Sequence, residues 1–274
     1  MSATPSPPAL SDEAVALARI AIEAGDLIMR HYAVVDMPSR KKDDHSPVTD
    51  ADQEAETLIL ERLNAHAPGV PVVAEEECAA GRIPDIGARF YLVDPLDGTK
   101  EFLKRNGEFT VNIAEVVDRV PVRGVVYAPA KERLFIGEKV GGAGDGAWEI
   151  ALPHGAHCDF STARAIHVRD VPKTGVVTVA SRSHRDSKTE EYLKAYDVKD
   201  FVTAGSSLKF CLVAAGEADL YPRHGRTMEW DTGAGHAVLA AAGGSVTMLD
   251  GTPFLYGKAA VKYENPSFVA RGKI

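Results

Sequence analysis

The chain has 274 residues, of which 45% are hydrophobic and 26% charged, as expected of a globular protein with one large or two small domains. Its formal net charge of −8 argues against a nucleic-acid coat protein or a binder of anionic membranes. No apolar run reaches the roughly 18 residues that a membrane-spanning helix needs. The three cysteines are widely spaced without a CxxC pair, which disfavours a zinc site or a disulfide framework and indicates a reducing compartment.

The N-terminal half mixes predicted helices with short strands. Residues 1–10 are rich in proline and serine, and we expect a flexible tail rather than an export signal. Apolar residues at helical spacing predict a long amphipathic helix over 11–32 and a second helix that begins near Asp52. The other predicted segments of this half are a polar loop over 38–47, a strand over 71–74 that runs into Glu75-Glu76-Glu77, a loop over 78–88 and a buried strand over 90–93.

The rest of the chain begins with strands and then alternates strands with helices. The predicted segments are strands over 109–117, 124–127 and 133–137, a glycine-rich turn over 141–146, a strand over 176–180, helices over 188–196 and 205–215, a strand over 218–221, a helix over 231–242 and a last clear strand over 245–249. No internal repeat or long linker interrupts them. We therefore predict one domain over 11–274, with an α+β subdomain (about 11–155) and an α/β subdomain (about 156–274) that share one cleft.

The stretch Asp94–Lys100 carries the strongest chemical signal. Two carboxylates, Asp94 and Asp97, follow the buried strand, and Pro95 between them should end it. Gly98 allows a tight turn, and Thr99 can cap a following helix. Close carboxylates favour a hard divalent cation such as Mg²⁺, and N–H groups at a helix start suit a phosphate. The alternative is an ordinary strand–turn–helix junction with a solvated acidic turn.

Five acids stand at predicted element ends, namely Asp52, Glu75, Asp94, Asp97 and Asp231. Taken singly, Glu75 could belong to a solvated acidic triplet, and Asp231 could be a plain helix N-cap. Taken together, they match a site for two or three Mg²⁺ ions that clamps a phosphoryl group and activates a water. No set of Ser, Cys or His residues suggests a protein nucleophile, which favours direct attack by water.

These motifs resemble the inositol monophosphatase superfamily of Mg²⁺-dependent, lithium-sensitive phosphatases. The superfamily signatures DP[LI]DGT and WDxxAG occur here as residues 94–99 and 230–235, and the similarity covers about residues 12–265. Further segments resemble its CysQ-type branch, the 3′(2′),5′-bisphosphate nucleotidases: Asp94 to Phe102, Arg105 to Asn112, Gly124 to Pro129, Ser181 to His184, Gly205 to Phe210 and Tyr221 to Arg223. The implied fold is a layered αβαβα sandwich of the sugar-phosphatase type.

The resemblance also implies a role for each matching residue. The implied metal ligands are Glu75, Asp94, Asp97, Asp231 and the backbone carbonyl of Leu96. The implied catalytic residues are Asp52 and Thr99, which orient and deprotonate the attacking water, together with Glu75. The implied substrate contacts are Leu96, Asp97, Gly98, Thr99, His184, Ser206, Lys209, Arg223 and Asp231. Lys42 matches a basic residue on a mobile loop. Within the acidic triplet, the spacing to Asp94 favours Glu75 over Glu76 as the ligand.

The function implied is hydrolysis of the 3′-phosphate of adenosine 3′,5′-bisphosphate, or of its sulfate-carrying form, within sulfur assimilation. The cofactor expected is Mg²⁺, the partner a small nucleotide rather than nucleic acid, and the protein a cytoplasmic monomer or homodimer, loosely membrane-associated at most. Alternatives are an inositol or fructose-bisphosphate phosphatase of the same fold, or a silent Mg²⁺-dependent nucleotide sensor. Lys209, Ser206 and Arg223 favour the nucleotidase, since a second phosphate needs cations away from the metals.

Overall fold

The computed structural model describes residues 10–34, 39–41, 47–142, 144–181 and 187–274. Lys42 and His184 therefore lie outside the described residues, and their predicted roles stay predictions. The helices are α1 (Asp12–Tyr32), α2 (Asp50–His66), α3 (Glu75–Ala79), α4 (Thr99–Leu103), α5 (Ser187–Leu193), α6 (Leu208–Ala214) and α7 (Gly233–Ala241). The strands are β1 (Ser39–Lys41), β2 (Pro47–Thr49), β3 (Val72–Ala74), β4 (Arg89–Asp97), β5 (Thr110–Val117), β6 (Val120–Ala128), β7 (Arg133–Glu138), β8 (Gly146–Ala151), β9 (Arg164–Ala165), β10 (Val176–Ser181), β11 (Val198–Ala204), β12 (Leu220–Arg223), β13 (Ser245–Met248) and β14 (Phe268–Arg271).

In the described residues, two large sheets and three helical layers make up the domain, and β1 and β2 form a separate two-stranded sheet. The larger sheet has the order β3-β4-β5-β6-β7-β8-β9, and the smaller has the order β11-β10-β12-β14-β13. Helices α1 and α2 pack on one face of the larger sheet, α6 and α7 lie between the sheets, and α5 covers the outer face of the smaller sheet. This is the αβαβα sandwich that the resemblance implied.

Strand β4 shows how the sequence specifies these layers. Its side chains alternate between the two faces of the sheet, as strand geometry requires. Phe90 and Leu92 enter the cluster that faces α6 and α7, whereas Tyr91 and Val93 enter the cluster beneath α1 and α2. Because both faces are covered, the strand is an unbroken apolar run and carries its functional groups only at its end.

Helix α7 approaches the larger sheet closely because glycines face it. A Cβ atom on Gly124 would lie 2.3 Å from the carbonyl oxygen of Ala234, and one on Gly137 would lie 2.4 Å from Cα of Val238. On the other side of the helix, a Cβ atom on Gly235 would lie 2.5 Å from the ring of Phe210. The glycine- and alanine-rich composition of this region therefore fixes the distance between α7 and both neighbouring layers.

Several predicted boundaries were wrong, for local reasons. Strand β4 does not end at Pro95 but continues to Asp97 through an irregular register against β5. The acidic triplet begins helix α3, so the predicted loop starts later than residue 78. The predicted loop over 38–47 contains strand β1 and the first residue of strand β2. These two strands pair with each other. Strands β8, β9, β11 and β14 were not predicted, and β14 lies between β12 and β13.

The structure bears on two further predictions. None of the described helices combines the length and the apolar character that a bilayer span requires. All three cysteines are free thiols, as the absence of a disulfide framework predicted.

Candidate active site

The end of β4 carries Asp94, which is buried, and Asp97, which lines a pocket. Asp94 pairs with Asn112 of β5 and Asp97 with Thr110, so three steps on β4 oppose two on β5. The extra residue makes a bulge, a device that redirects side chains at functional sites. The backbone N–H of Leu96 donates to Oδ1 of Asp94 over 3.0 Å, which ties this carboxylate to the turn around Pro95.

Gly98 makes the turn from β4 into α4. Its φ of +96° lies in the left-handed region, and a Cβ atom there would lie 2.3 Å from Oγ of Ser206. Both the conformation and the close approach therefore require glycine. Gly98, and not Thr99 as predicted, is the N-cap of α4.

Thr99, the first residue of α4, directs its side chain to α2 rather than to its own helix. Its hydroxyl donates to Oδ1 of Asp52 over 3.1 Å. The other oxygen of Asp52 accepts bonds from the backbone N–H and the hydroxyl of Thr49, at 2.7 and 2.5 Å. Because the threonine proton points to Asp52, a lone pair on the hydroxyl oxygen is left to accept a proton from water. The structure thus joins the two residues predicted to activate water.

Asp97 and Asp231 are linked through two buried polar side chains. The amide nitrogen of Asn112 donates to Oδ2 of Asp97 over 3.3 Å and to Oγ of Ser207 over 3.0 Å. The Ser207 hydroxyl donates to the backbone carbonyl of Asp231 over 2.7 Å. Asp231 itself accepts a bond from the backbone N–H of Met228 over 2.8 Å. It lies in the turn before α7, whose N-cap is Thr232, so Asp231 is not the N-cap that one alternative required.

The carboxyl groups of Asp97 and Asp231 carry strongly perturbed pKa values. Burial, and next the charge of Asp97, raise the pKa of Asp231 to about 8. Burial also raises the pKa of Asp97 to about 6, although Lys209 opposes the rise. The charge of Glu75 contributes to both increases, which supports Glu75 as the member of the triplet that faces the site. Buried carboxylates that repel one another are the electrostatic environment in which a bound cation is most stabilising.

These acids fit a Mg²⁺ site by their chemistry. Glu75, Asp94, Asp97 and Asp231 offer carboxylate oxygens and Leu96 a carbonyl oxygen, the ligand types that Mg²⁺ takes. Within the described part of the chain, no three acidic, histidine or cysteine side chains are already arranged around one point that could hold a metal. The fit therefore rests on the donor types and on the mutual repulsion of Glu75, Asp97 and Asp231.

A pocket beside these acids contains most of the predicted substrate residues, although Leu96 and Thr99 do not line it. Its walls include Asp97, Gly98, Glu101, Ser206, Lys209, Tyr221, Arg223 and Asp231. Lys209 is only 6% exposed, and its ammonium group lies 5.5 Å from the centre of the Tyr221 ring. Burial lowers the pKa of Lys209 to about 8, and Asp97 opposes this shift.

Arg223 and Ser206 differ in how their polar atoms are used. Nη2 of Arg223 donates to the backbone carbonyl of Arg226 over 3.2 Å, but its buried Nε has no hydrogen-bond partner among the described residues. The Ser206 hydroxyl already lies 2.7 Å from the carbonyl oxygens of both Asp97 and Glu108. Arg223 is thus equipped to bind an anion, whereas Ser206 mainly supports the backbone of the site.

The sequence reasoning gave no role to Asn112, Ser207 or Glu101. Asn112 had a recognisable signal, since an asparagine inside an apolar strand must be satisfied by a specific partner. Ser207 and Glu101 had none, because a serine before a helix and an acid in a helix are ordinary residues. Their contacts form only because the fold brings α4, the start of α6 and β5 together.

Comparison with known proteins identifies the relatives of this chain. The model of the inositol monophosphatase family matches residues 10–272. The 3′(2′),5′-bisphosphate nucleotidase CysQ of Escherichia coli K12 is 44% identical over 252 residues, which cover 91% of this chain and 96% of that protein. The crystal structure of CysQ from Bacteroides thetaiotaomicron, described as a bacterial member of the inositol monophosphatase family, has a TM-score of 0.79 at 37% identity and covers 97% of this chain and 99% of that one.

A more distant relative has the same architecture. The structure of inositol monophosphatase from Anabaena sp. PCC 7120 has a TM-score of 0.70 at 27% identity, with 95% of this chain and 90% of that chain covered. The family model spans nearly the whole chain, and the relatives match it over most of their own lengths. The chain therefore belongs to the inositol monophosphatase family.

Proposed function

We propose that the chain is a Mg²⁺-dependent 3′(2′),5′-bisphosphate nucleotidase that removes the 3′-phosphate of adenosine 3′,5′-bisphosphate and leaves 5′-AMP. The observation that carries the proposal is the charge arrangement of one pocket. Asp97 and Asp231 lie at its acidic side, and Lys209 and Arg223 supply cations on its wall. A ligand with two phosphates matches both sides, because one phosphate can be held with a metal and the other by the two cations.

The relatives support this substrate class. The E. coli protein named 3′(2′),5′-bisphosphate nucleotidase is more similar to this chain than the Anabaena inositol monophosphatase, at 44% against 27% identity. An inositol monophosphate has no second phosphate to bind Lys209, which is buried, and Arg223, which is partly buried. We extend the proposal to the sulfate-carrying nucleotide, which has the same 3′-phosphate. The cytoplasmic location and the role in sulfur assimilation remain predictions.

The residues that activate water are those around Thr99. The Asp52 carboxylate is held by Thr49 and accepts a hydrogen bond from the Thr99 hydroxyl. The Thr99 oxygen can therefore take a proton from the attacking water as its own proton passes to Asp52. Bound Mg²⁺, held by Glu75, Asp94, Asp97, Asp231 and the Leu96 carbonyl, would lower the pKa of water and offset the charge of the phosphoryl group. Gly98 lines the pocket and has no side chain, which would allow a phosphate to approach its backbone.

Phosphate release by the purified protein in Mg²⁺ tests the proposal. Adenosine 3′,5′-bisphosphate, inositol 1-phosphate and fructose 1,6-bisphosphate should be compared, each with and without lithium. We expect the highest kcat/KM for the adenosine bisphosphate, with inhibition by lithium. A preference for the inositol or fructose substrate would overturn the substrate assignment. The absence of release from all three would favour the nucleotide sensor.

A further inference from the structure

Glu56 is a buried acid next to the predicted metal site with no role in the mechanism above. It lies on α2 and is 3% exposed. Its Oε2 accepts the backbone N–H of Glu76 over 2.8 Å, and its Oε1 accepts the backbone N–H of Glu77 over 2.7 Å. Both donors belong to the first turn of α3, the helix that Glu75 begins.

Helix α3 needs this support from outside. It has five residues, and its N-cap is Ala74, whose side chain cannot accept a hydrogen bond. A single isolated turn is unfavourable, because it fixes several backbone dihedrals for very few hydrogen bonds. The Glu56 carboxylate replaces the missing cap from a neighbouring helix.

One face of α2 therefore fixes two elements of the site. Asp52 and Glu56 are four residues apart, which places them on the same side of the helix. Asp52 binds Thr99 at the start of α4, and Glu56 binds the start of α3. The side chain that binds Thr99 and the side chain that binds the acidic triplet thus lie on the same helix.

We infer that Glu56 is a positioning residue, which holds the first turn of α3 so that Glu75 faces Asp97 and Asp231 and can ligate Mg²⁺. This inference rests on the proposed Mg²⁺-dependent function, because Glu75 is a ligand only in that function. Side chains that orient metal ligands typically change metal affinity by about 10–100-fold when they are replaced.

The test is calorimetric Mg²⁺ binding to the full chain without substrate. Glu56→Gln keeps the side-chain volume but presents one carbonyl oxygen and one NH₂ group to two N–H donors, so one hydrogen bond is lost. We expect Mg²⁺ to bind about 10–100-fold more weakly, and activity at saturating substrate to need correspondingly more Mg²⁺. Glu75→Gln should show a loss of similar size.

Glu115→Gln is the matched control. Glu115 is also buried and also binds two partners, Arg89 and Arg123, but it lies further along β5 from the site. It should lose stability to urea without a change in Mg²⁺ affinity. Wild-type Mg²⁺ affinity in Glu56→Gln, with only a stability loss like that of Glu115→Gln, would overturn the inference.

Two further results are interpretable. If Glu56→Gln does not fold, Glu56→Asp replaces it in the same binding measurement. Aspartate keeps the charge, but its shorter side chain moves the carboxylate away from the N–H groups of α3, so Mg²⁺ should again bind more weakly. If the wild type binds Mg²⁺ but does not hydrolyse adenosine 3′,5′-bisphosphate, the proposed function fails, and the comparison of Glu56→Gln with Glu75→Gln still decides the role of Glu56.

Discussion

Lys209 is the residue whose environment most directly reflects the proposed substrate. A buried ammonium is costly unless an opposite charge compensates it. Here Asp97, Glu101 and Asp231 compensate it in part, but Arg223 acts against it. A bound phosphate would supply the missing negative charge.

Lys209→Met should raise KM for adenosine 3′,5′-bisphosphate by about 10–100-fold, because a hydrogen bond to a charged group contributes about 1.5–3 kcal/mol. Methionine keeps an unbranched apolar side chain in the buried position, so kcat/KM for a poor monophosphate substrate should change little. Steady-state kinetics on both substrates check this. Lys194→Met, at an exposed lysine bound to Glu191, is the control and should leave both values unchanged. Equal losses on both substrates would remove Lys209 from the specificity pocket.

The types of the site residues could be predicted from sequence, but their contacts could not. The acids at positions 94, 97 and 231 stand at element ends in recognisable motifs, and the structure places their elements around one cleft. Asn112, Ser207 and Glu56 act through hydrogen bonds to residues 15 or more positions away. No local pattern encodes such contacts, so they had to come from the structure.

At the scale of elements, α7 packs closely against the larger sheet. The Cβ atom of an alanine at position 137 would lie 2.4 Å from Cα of Val238 and 2.8 Å from its backbone nitrogen, and backbone cannot rotate away as a side chain can. The helix would have to shift from the sheet. Such a shift would also displace Asp231, which precedes the helix.

Gly137→Ala should therefore destabilise the fold by about 1–3 kcal/mol, the usual cost of overpacking. Urea unfolding measures this. Gly87→Ala is the control, since a Cβ atom at position 87 would meet no atom within 4 Å, and its effect should be much smaller. Equal stability of the two variants would show that the α7 contact does not constrain the layer.

The length and regularity of its apolar pattern decide whether an element could be predicted from the sequence. Helix α1 and strands β5 and β7 have regular apolar patterns and were predicted nearly to the residue, whereas β6 begins four residues before the predicted start at 124. Strand β11 was missed because it is an edge strand with several exposed residues, and its sequence includes two charged ones. Strand β14 has four residues, too few for a periodic pattern, and its place between β12 and β13 depends on long-range pairing.

At the scale of the whole molecule, the middle helical layer contains a buried histidine. His236 of α7 is 8% exposed, and its Nδ1 lies 3.1 Å from the hydroxyl of Tyr256. Burial, and next the charges of Lys139 and Lys258, lower its pKa to about 3. Between about pH 3 and the usual histidine value of about 6.5, the unfolded chain therefore binds a proton that the folded protein does not.

The histidine should make the fold sensitive to acid. Its contribution is fully present above about pH 6.5 and is lost as the pH falls, by up to about 1.4 kcal/mol per pH unit. Urea unfolding at several pH values should show a shallower loss for His236→Gln than for the wild type. His154→Gln, at a half-exposed surface histidine, should behave like the wild type. Parallel curves for all three proteins would contradict the assignment.

The layered molecule brings the end of β4, helix α6 and the turn before α7 to one pocket, and the central claim is that water attacks the 3′-phosphate there. Hydrolysis of adenosine 3′,5′-bisphosphate in H₂¹⁸O, followed by mass spectrometry of both products, tests it most directly. We predict unlabelled 5′-AMP and inorganic phosphate that carries one ¹⁸O atom, with neither product formed by Asp94→Asn. Adenosine 3′-phosphate as product, or ¹⁸O in the nucleotide, would contradict the account.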